Sequence, residues 1–294
     1  MSLDKKKRKL STGKTLKETG IHILLLLLAL LWLLPFVWLI LNSFRDGGNR
    51  SYFPNFFPDQ FSLVNYQVLF DSNRRQILDF PRAFMNTLFV SIMSCIISVS
   101  FVMAVSFVMS RRRYKTRKLM LNINMILGLF PGFMAMVAVY FILKAVGLTE
   151  GDWTYLALIL VFSAGSGAGF LLMKGYMDTI PKSLDEAALI DGANQWQIFT
   201  KIIIPISKPM IVFQVLTAFL GPWVDFIFAR VIAGANSKYY TVSVVLYNML
   251  DRERITYWYL PFTAGAVLVA IPISILTIMM QRFYNQSLSG AVKG

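Results

Sequence analysis

The sequence predicts an all-α membrane protein that crosses a bilayer six times. Three observations carry this reading. First, 56% of the 294 residues are hydrophobic and only 15% are charged, against about 25% in soluble domains. Second, mean hydropathy is +0.59. Third, six apolar runs are each long enough for a helix across a hydrocarbon core, which takes about 20 residues. The runs cover 21–41, 86–109, 119–143, 155–173, 210–229 and 263–280. The net charge of +14 lacks a broad basic face with interleaved aromatics. Lysine and arginine collect instead at the ends of apolar runs, which fits membrane orientation better than nucleic-acid binding.

Residues 1–20 carry Lys5, Lys6, Lys7, Arg8, Lys9, Lys14 and Lys17, so the excess of positive charge on cytoplasmic segments places them inside. The run from Ile21 past Leu41 is too long for a signal-peptide core, and no small-residue cleavage site follows it. It reads as a retained span interrupted by Pro35, with His22 at headgroup level. Residues 43–83 form an outer loop rich in aromatics and prolines. Cys95, in the second span, reads as a small buried residue. A very basic loop follows, with Arg111, Arg112, Arg113, Lys115, Arg117 and Lys118, again cytoplasmic.

Pro131 and Gly132 interrupt the third span. Broken helices can line a substrate path, and a tolerated kink is the other reading. Gly165 and Gly169 in the fourth span have GxxxG spacing, which suits close helix packing and is compatible with a pivot. Asp225 lies near the outer end of the fifth span. It is a pathway candidate, set against solvation or a bond to loop backbone. Residues 230–262 form a second aromatic outer loop, and 284–294 a cytoplasmic tail. An even number of spans puts both termini inside. Outer-loop aromatics suit either an interfacial belt or contact with a soluble partner or a sugar.

The most informative segment is the polar island 181–208, between the fourth and fifth spans. Pro181 stops the preceding helix. Ser183-Leu184-Asp185-Glu186 matches an S-x-x-E capping box, with Ser183 as cap. A short helix through Ala187, Ala188 and Leu189 would end at Gly192. Asn194 and Gln197 offer a second box, opening a helix toward Ile202–Ile204 and Pro205. The prediction is a helix–turn–helix on the cytosolic side. An amphipathic hairpin lying flat on the membrane is the alternative. Asp185, Glu186 and Asp191 argue against it, because an anionic inner leaflet repels carboxylates.

Glu186-Ala187-Ala188, three residues, Gly192, nine residues, then Ile202-x-Ile204-Pro205 resembles the EAA loop of permease subunits of ATP-binding-cassette importers, with Ile204 in place of the usual leucine. Leu171–Tyr176, Gly221–Phe226 and the Gly290–Gly294 ending extend the resemblance over most of the chain. They look like the MalG-like half of binding-protein-dependent maltose and maltodextrin permeases. The resemblance implies a type I, MetI-like permease fold with a cytoplasmic coupling helix. It implies a homologous second permease, two cytosolic ATPase subunits and an extracytoplasmic solute-binding protein, in a bacterial inner membrane. Ser183, Asp185, Glu186, Ala187, Ala188, Asp191, Gly192, Ile202 and Pro205 would serve ATPase coupling: Asp185, Glu186 and Asp191 by fixing register, Ala187, Ala188 and Leu189 by apolar contact. Gly290, Lys293 and Gly294 would reach the ATPase. Maltodextrin-like oligosaccharides are the first expectation for cargo, and other oligosaccharides such as uronate oligomers the second.

Gly13-Lys14-Thr15 echoes a phosphate-binding loop, but Arg8 stands where its first glycine is required and no strand precedes it. ATP and Mg²⁺ are therefore expected on partner subunits and no cofactor on this chain. No nucleophile–base spacing suggests an enzyme, and no His/Cys/carboxylate cluster a metal site. An ion-gradient-driven sugar transporter is the alternative from another class. It calls for mid-membrane acids and inverted repeats, and the spans show almost none of the first and no clear sign of the second.

Overall fold

The computed structural model describes residues 2–46, 55–74, 78–112, 114–129, 132–164 and 167–291, with backbone alone over 2–17, 133, 167–168 and 282–291. The helices are α1 (Ser2–Ser43), α2 (Val64–Phe70), α3 (Phe80–Arg111), α4 (Arg117–Leu127), α5 (Gly132–Ala145), α6 (Trp153–Ala164), α7 (Gly167–Thr179), α8 (Ser183–Ile190), α9 (Gln195–Ile198), α10 (Ile204–Ile206), α11 (Lys208–Val224), α12 (Ile227–Ala233), α13 (Val242–Met249) and α14 (Ile255–Ala291).

Three helical stretches are long and apolar enough to cross a bilayer without interruption, Glu18–Ser43, Phe80–Arg111 and Ile255–Gln281. The others are broken. The run 119–143 becomes α4 and α5, because Gly128 ends α4. The run 155–173 becomes α6 and α7, bent by 41°. The fifth helix ends at Val224, where extended Asp225 closes it, five residues short of the expected 229. The basic N-terminal segment continues as helix into α1, and α14 runs unbroken from Ile255 to Ala291. Gly290 is thus part of α14, while Lys293, Gly294 and Pro131 lie outside the described residues.

α3 organises the bundle. Thr87, Ser91, Ser94, Ser98, Ser106 and Ser110 are all buried along it. Small polar residues three and four apart let neighbouring helices approach closely and offer hydroxyls to their backbones. Ser106 donates to Phe170 O at 3.0 Å, and α6, α7 and α11 pack along this face. Gly169 of α7 answers from the other side, for a Cβ there would collide with Gln214 of α11. α1 leans on α14, and its apolar stretch is otherwise uncovered, as a helix in contact with lipid or another subunit would be.

Two cores lie at opposite ends of α3. One gathers Phe80, Val90, Leu158, Trp223, Tyr239, Val242 and Trp258. The other gathers Met103, Phe107, Met173, Met177, Ile198, Phe199 and Ile203, and it carries the site.

Candidate functional site

The island folds as a helical hairpin. After Pro181 the backbone of Lys182 is already helical (φ −69°, ψ −20°), so Lys182 stands at the N-cap of α8 and Ser183 is its first helical residue. A side-chain cap needs a non-helical backbone at the capping residue. The expected Ser183–Glu186 capping box is therefore absent, and the Glu186 amide donates to Lys182 O instead. Gly192 turns the chain at φ +80°, a left-handed conformation that strains residues with a Cβ. The second box forms as expected. Gln197 N donates to Asn194 Oδ1 at 2.9 Å, and Asn194 N to Gln197 Oε1 at 2.8 Å.

α9 then widens into a π-helical turn, Phe199–Ile203, before α10. The Gln195–Ile206 stretch meets α11 at 80°, with Ser207 and Pro209 at the corner. The hairpin is thus held crosswise to the helix it feeds.

Its residues divide by direction. Ala188, Ile198, Phe199 and Ile203 are buried in the second core. Asp185 turns toward the bundle, its Oδ2 2.9 Å from Arg111 Nε. Burial pushes the Asp185 carboxyl above its ordinary range, against the pull of Arg111 and Lys182. Arg111, which the sequence places in a very basic cytoplasmic loop, has a side chain only 4% exposed. Glu186, Ala187, Asp191 and Gly192 face outward. With them stand Leu184, Leu189, Ile190 at 87% exposure and Trp196 at 69%. Burying such side chains is worth about 1.5–3 kcal/mol each, so this face favours docking. Beside it, Ala188, Asp191, Gly192, Ala193, Gln197, Lys201 and Ile202 line a cleft of about 350 Å³. Pro205 and Ser183 are exposed at the hairpin's ends.

A second feature lies along α11. Gln214, Thr217, Gly221 and Asp225 recur at helical spacing and line a cavity of about 490 Å³ with Ser98, Val139, Phe162 and Phe228. Gln214 is buried and donates to Ser98 Oγ at 3.3 Å. Asp225 Oδ1 accepts from Phe228 N at 2.9 Å and Ala229 N at 3.1 Å, so its bonds go to the first turn of α12 rather than to loop backbone. Gly132, at the first turn of α5, is not among the residues lining this cavity. Gln214 and Ser98 escaped the sequence reading. A polar residue in an apolar run that recurs with small residues at three- and four-residue spacing was the available signal. Among the described residues, no group of three or more His, Cys, Asp or Glu is placed to hold a metal.

The bundle presents the E-A-A hairpin at one end, and the relatives of this chain make it a permease subunit of an ATP-binding-cassette importer, not itself an enzyme. The chain belongs to the family of binding-protein-dependent transport system inner membrane components, which matches residues 96–290. It is 32% identical over 275 residues to the galactooligosaccharides transport system permease protein GanQ of Bacillus subtilis (strain 168), covering 93% of this chain and 94% of that one. It is 30% identical over 285 residues to the maltodextrin transport system permease protein MdxG of the same organism, covering 97% and 99%. The fold matches a chain in the crystal structure of a bacterial transporter involved in import of the acidic polysaccharide alginate. That match has TM-score 0.73 and 23% identity, and covers 90% of this chain and 94% of the other.

Proposed function

We propose that this chain forms one half of the membrane path of an oligosaccharide importer and couples it to cytosolic ATPase subunits through the 181–208 hairpin. The observation that carries the coupling is the division of the hairpin. One side is sunk in the bundle through Ala188, Ile198, Phe199 and Ile203, and the other offers Leu189, Ile190 and Trp196 rimmed by Glu186 and Asp191. A lever needs a fixed end and a presented end, and this element has both.

In this reading the hairpin and both termini face the cytosol. ATP and Mg²⁺ bind the ATPase subunits, and closure of their dimer moves the hairpin. A homologous second permease supplies the other half of the path. A binding protein docks at the opposite end of the bundle, near 43–83 and 230–262. The cavity beside Gln214, Thr217 and Asp225 is this chain's share of the path, and Pro131 and Gly132 stay candidates for it from the sequence. The C-terminal residues Gly290, Lys293 and Gly294 reach toward the ATPase. Relatives named for maltodextrin and galactooligosaccharide transport support oligosaccharides as cargo, maltodextrin-like chains first and other oligosaccharides such as uronate oligomers second.

The test is co-purification of the complex with Ile190→Asp and Leu189→Asp. Loss of the ATPase subunits with the permease pair still assembled is expected; full retention would overturn the docking assignment. Substrate-stimulated ATP hydrolysis with a panel of oligosaccharides then identifies the cargo. Proton-coupled sugar flux by this chain alone would overturn the ATP-driven reading.

A further inference from the structure

We propose that Arg111 is a positioning residue which, through Asp185, makes α3 the rod that carries hairpin movement to the cavity wall; the inference rests on the hairpin being the ATPase-docking element. Arg111 is the last residue of α3, and its side chain is 4% exposed. Its Nη1 donates to Ile180 O at 3.2 Å, while its Nε faces Asp185 Oδ2 at 2.9 Å. The preceding residue, Ser110, donates to Asp178 Oδ1 at 2.6 Å. Asp178 also accepts from Lys174 at 2.5 Å. Two consecutive residues of α3 therefore hold the end of α7 and the start of α8.

Stability does not account for the ion pair. Arg111 Nε, Arg111 Nη2 and Asp185 Oδ1 have no hydrogen-bond partner among the described residues, so the approach is a charge contact without the bidentate geometry a guanidinium can offer. A buried pair left incomplete in this way returns little of its desolvation cost, and an apolar pair of similar volume would serve folding as well. What a charged contact adds is a fixed register between two elements.

α3 is suited to transmit it. Helices bend at proline, glycine or an inserted break. α1 contains Pro35, α11 Pro222, and α14 Pro261 and Pro272, and the third and fourth crossings are broken. α3 has no glycine, and its one proline, Pro81, sits in the first turn. From Arg111 the rod reaches Ser98, about 20 Å away along the axis, where Ser98 meets Gln214 in the cavity wall. Displacement of α8 is thereby delivered to that wall without passing through a hinge.

The experiment compares Arg111→Met, Asp185→Asn and the charge exchange Arg111→Asp with Asp185→Arg in the whole reconstituted complex. Assembly, basal ATP hydrolysis and sugar transported per ATP are read together. Arg111→Met is expected to assemble and hydrolyse ATP, and transport per ATP is expected to fall about tenfold in both single variants, an effect of the size coupling residues produce. The exchange is expected to restore at least part of it. Unchanged transport per ATP in the assembled single variants would overturn the proposal. Failure of every variant to assemble would also overturn it, making the pair a folding element. Ile190→Asp in parallel separates the two readings. If it leaves ATPase binding intact, the docking assignment has failed; if it abolishes binding while Arg111→Met transports normally, only the rod has.

Discussion

The two ends of α3 are built from different materials. At the end away from the hairpin, polar contacts tie several elements together, although Trp223 Nε1 and Arg230 Nη1 there have no hydrogen-bond partner among the described residues. Asn86 Nδ2 donates to Lys238 O at 2.8 Å and Tyr240 O at 3.0 Å, and its Oδ1 accepts from Tyr155 at 2.8 Å. Val242 N donates to Thr87 Oγ1 at 2.8 Å, and the core there is rich in rings: Phe80, Trp223, Tyr239, Tyr240 and Trp258. At the hairpin end the core holds Met103, Met109, Met173 and Met177, and the ion pair above it is incomplete. Satisfied networks and rigid rings specify a single arrangement, whereas methionine fills irregular space and adapts. The fold is thus clasped at one end and seated in a yielding socket at the other, where a moving partner would act.

That contrast can be broken experimentally. The largest effect is expected from Phe80→Ala, which empties a fully buried site next to Phe84 and Gly265 and should cost about 3–5 kcal/mol. Thermal aggregation midpoints in detergent should show it. Met177→Leu in the socket should cost under about 1.5 kcal/mol. Equal losses at the two sites would remove the distinction.

Asn86→Ala leaves two carbonyls and the Tyr155 hydroxyl without their partner, and about 1–3 kcal/mol should be lost. Limited proteolysis of the 230–242 loop is a direct readout, and an unaltered cleavage rate would show the clasp to be slack.

In the hairpin, Gly192→Ala meets no neighbour, so only backbone strain of about 1–2 kcal/mol is expected. Removing the cap with Asn194→Ala should cost about 1 kcal/mol. Both should lower substrate-stimulated ATP hydrolysis more than assembly. If assembly fell first, the hairpin would be a structural brace.

The smallest effect belongs to the exposed Asp152–Lys238 pair. Hydrogen bonds from Lys238 and Tyr239 hold the Asp152 carboxyl below its ordinary value. A depressed carboxylate stabilises the fold above the unfolded-state value, and the contribution is lost as pH falls through the folded one. Asp152→Asn should flatten that acid limb of the stability curve, and added salt should weaken it in the parent chain.

Much of the site was legible in sequence because it is local. Asn194 caps Gln197 within one turn, and Gly192 sets its own φ; neither depends on distant residues. Ser183 shows the limit. Its motif is as good as that at Asn194, but helical geometry already begun at Lys182 after Pro181 takes away the backbone conformation that a cap requires. Asp185 and Ala188 fell on the presented face in sequence, yet α8 rotates both inward, since the side of a short helix that turns inward is set by what it packs against. Arg111 looked like one more loop cation because nothing in its neighbourhood records that residues 74 positions later cover it.

The sequence alone determined the class of molecule: apolar runs of bilayer length, and a capped hairpin interrupting them. These follow from hydrophobicity and backbone geometry, which act over one or two turns. Only the tertiary structure decided which side of the hairpin is anchored, which apolar runs break and which stay continuous, and that a buried arginine at the tip of α3 meets the first turn of α8. Those depend on contacts between elements far apart in the chain, and such contacts leave no periodic mark in the sequence that makes them.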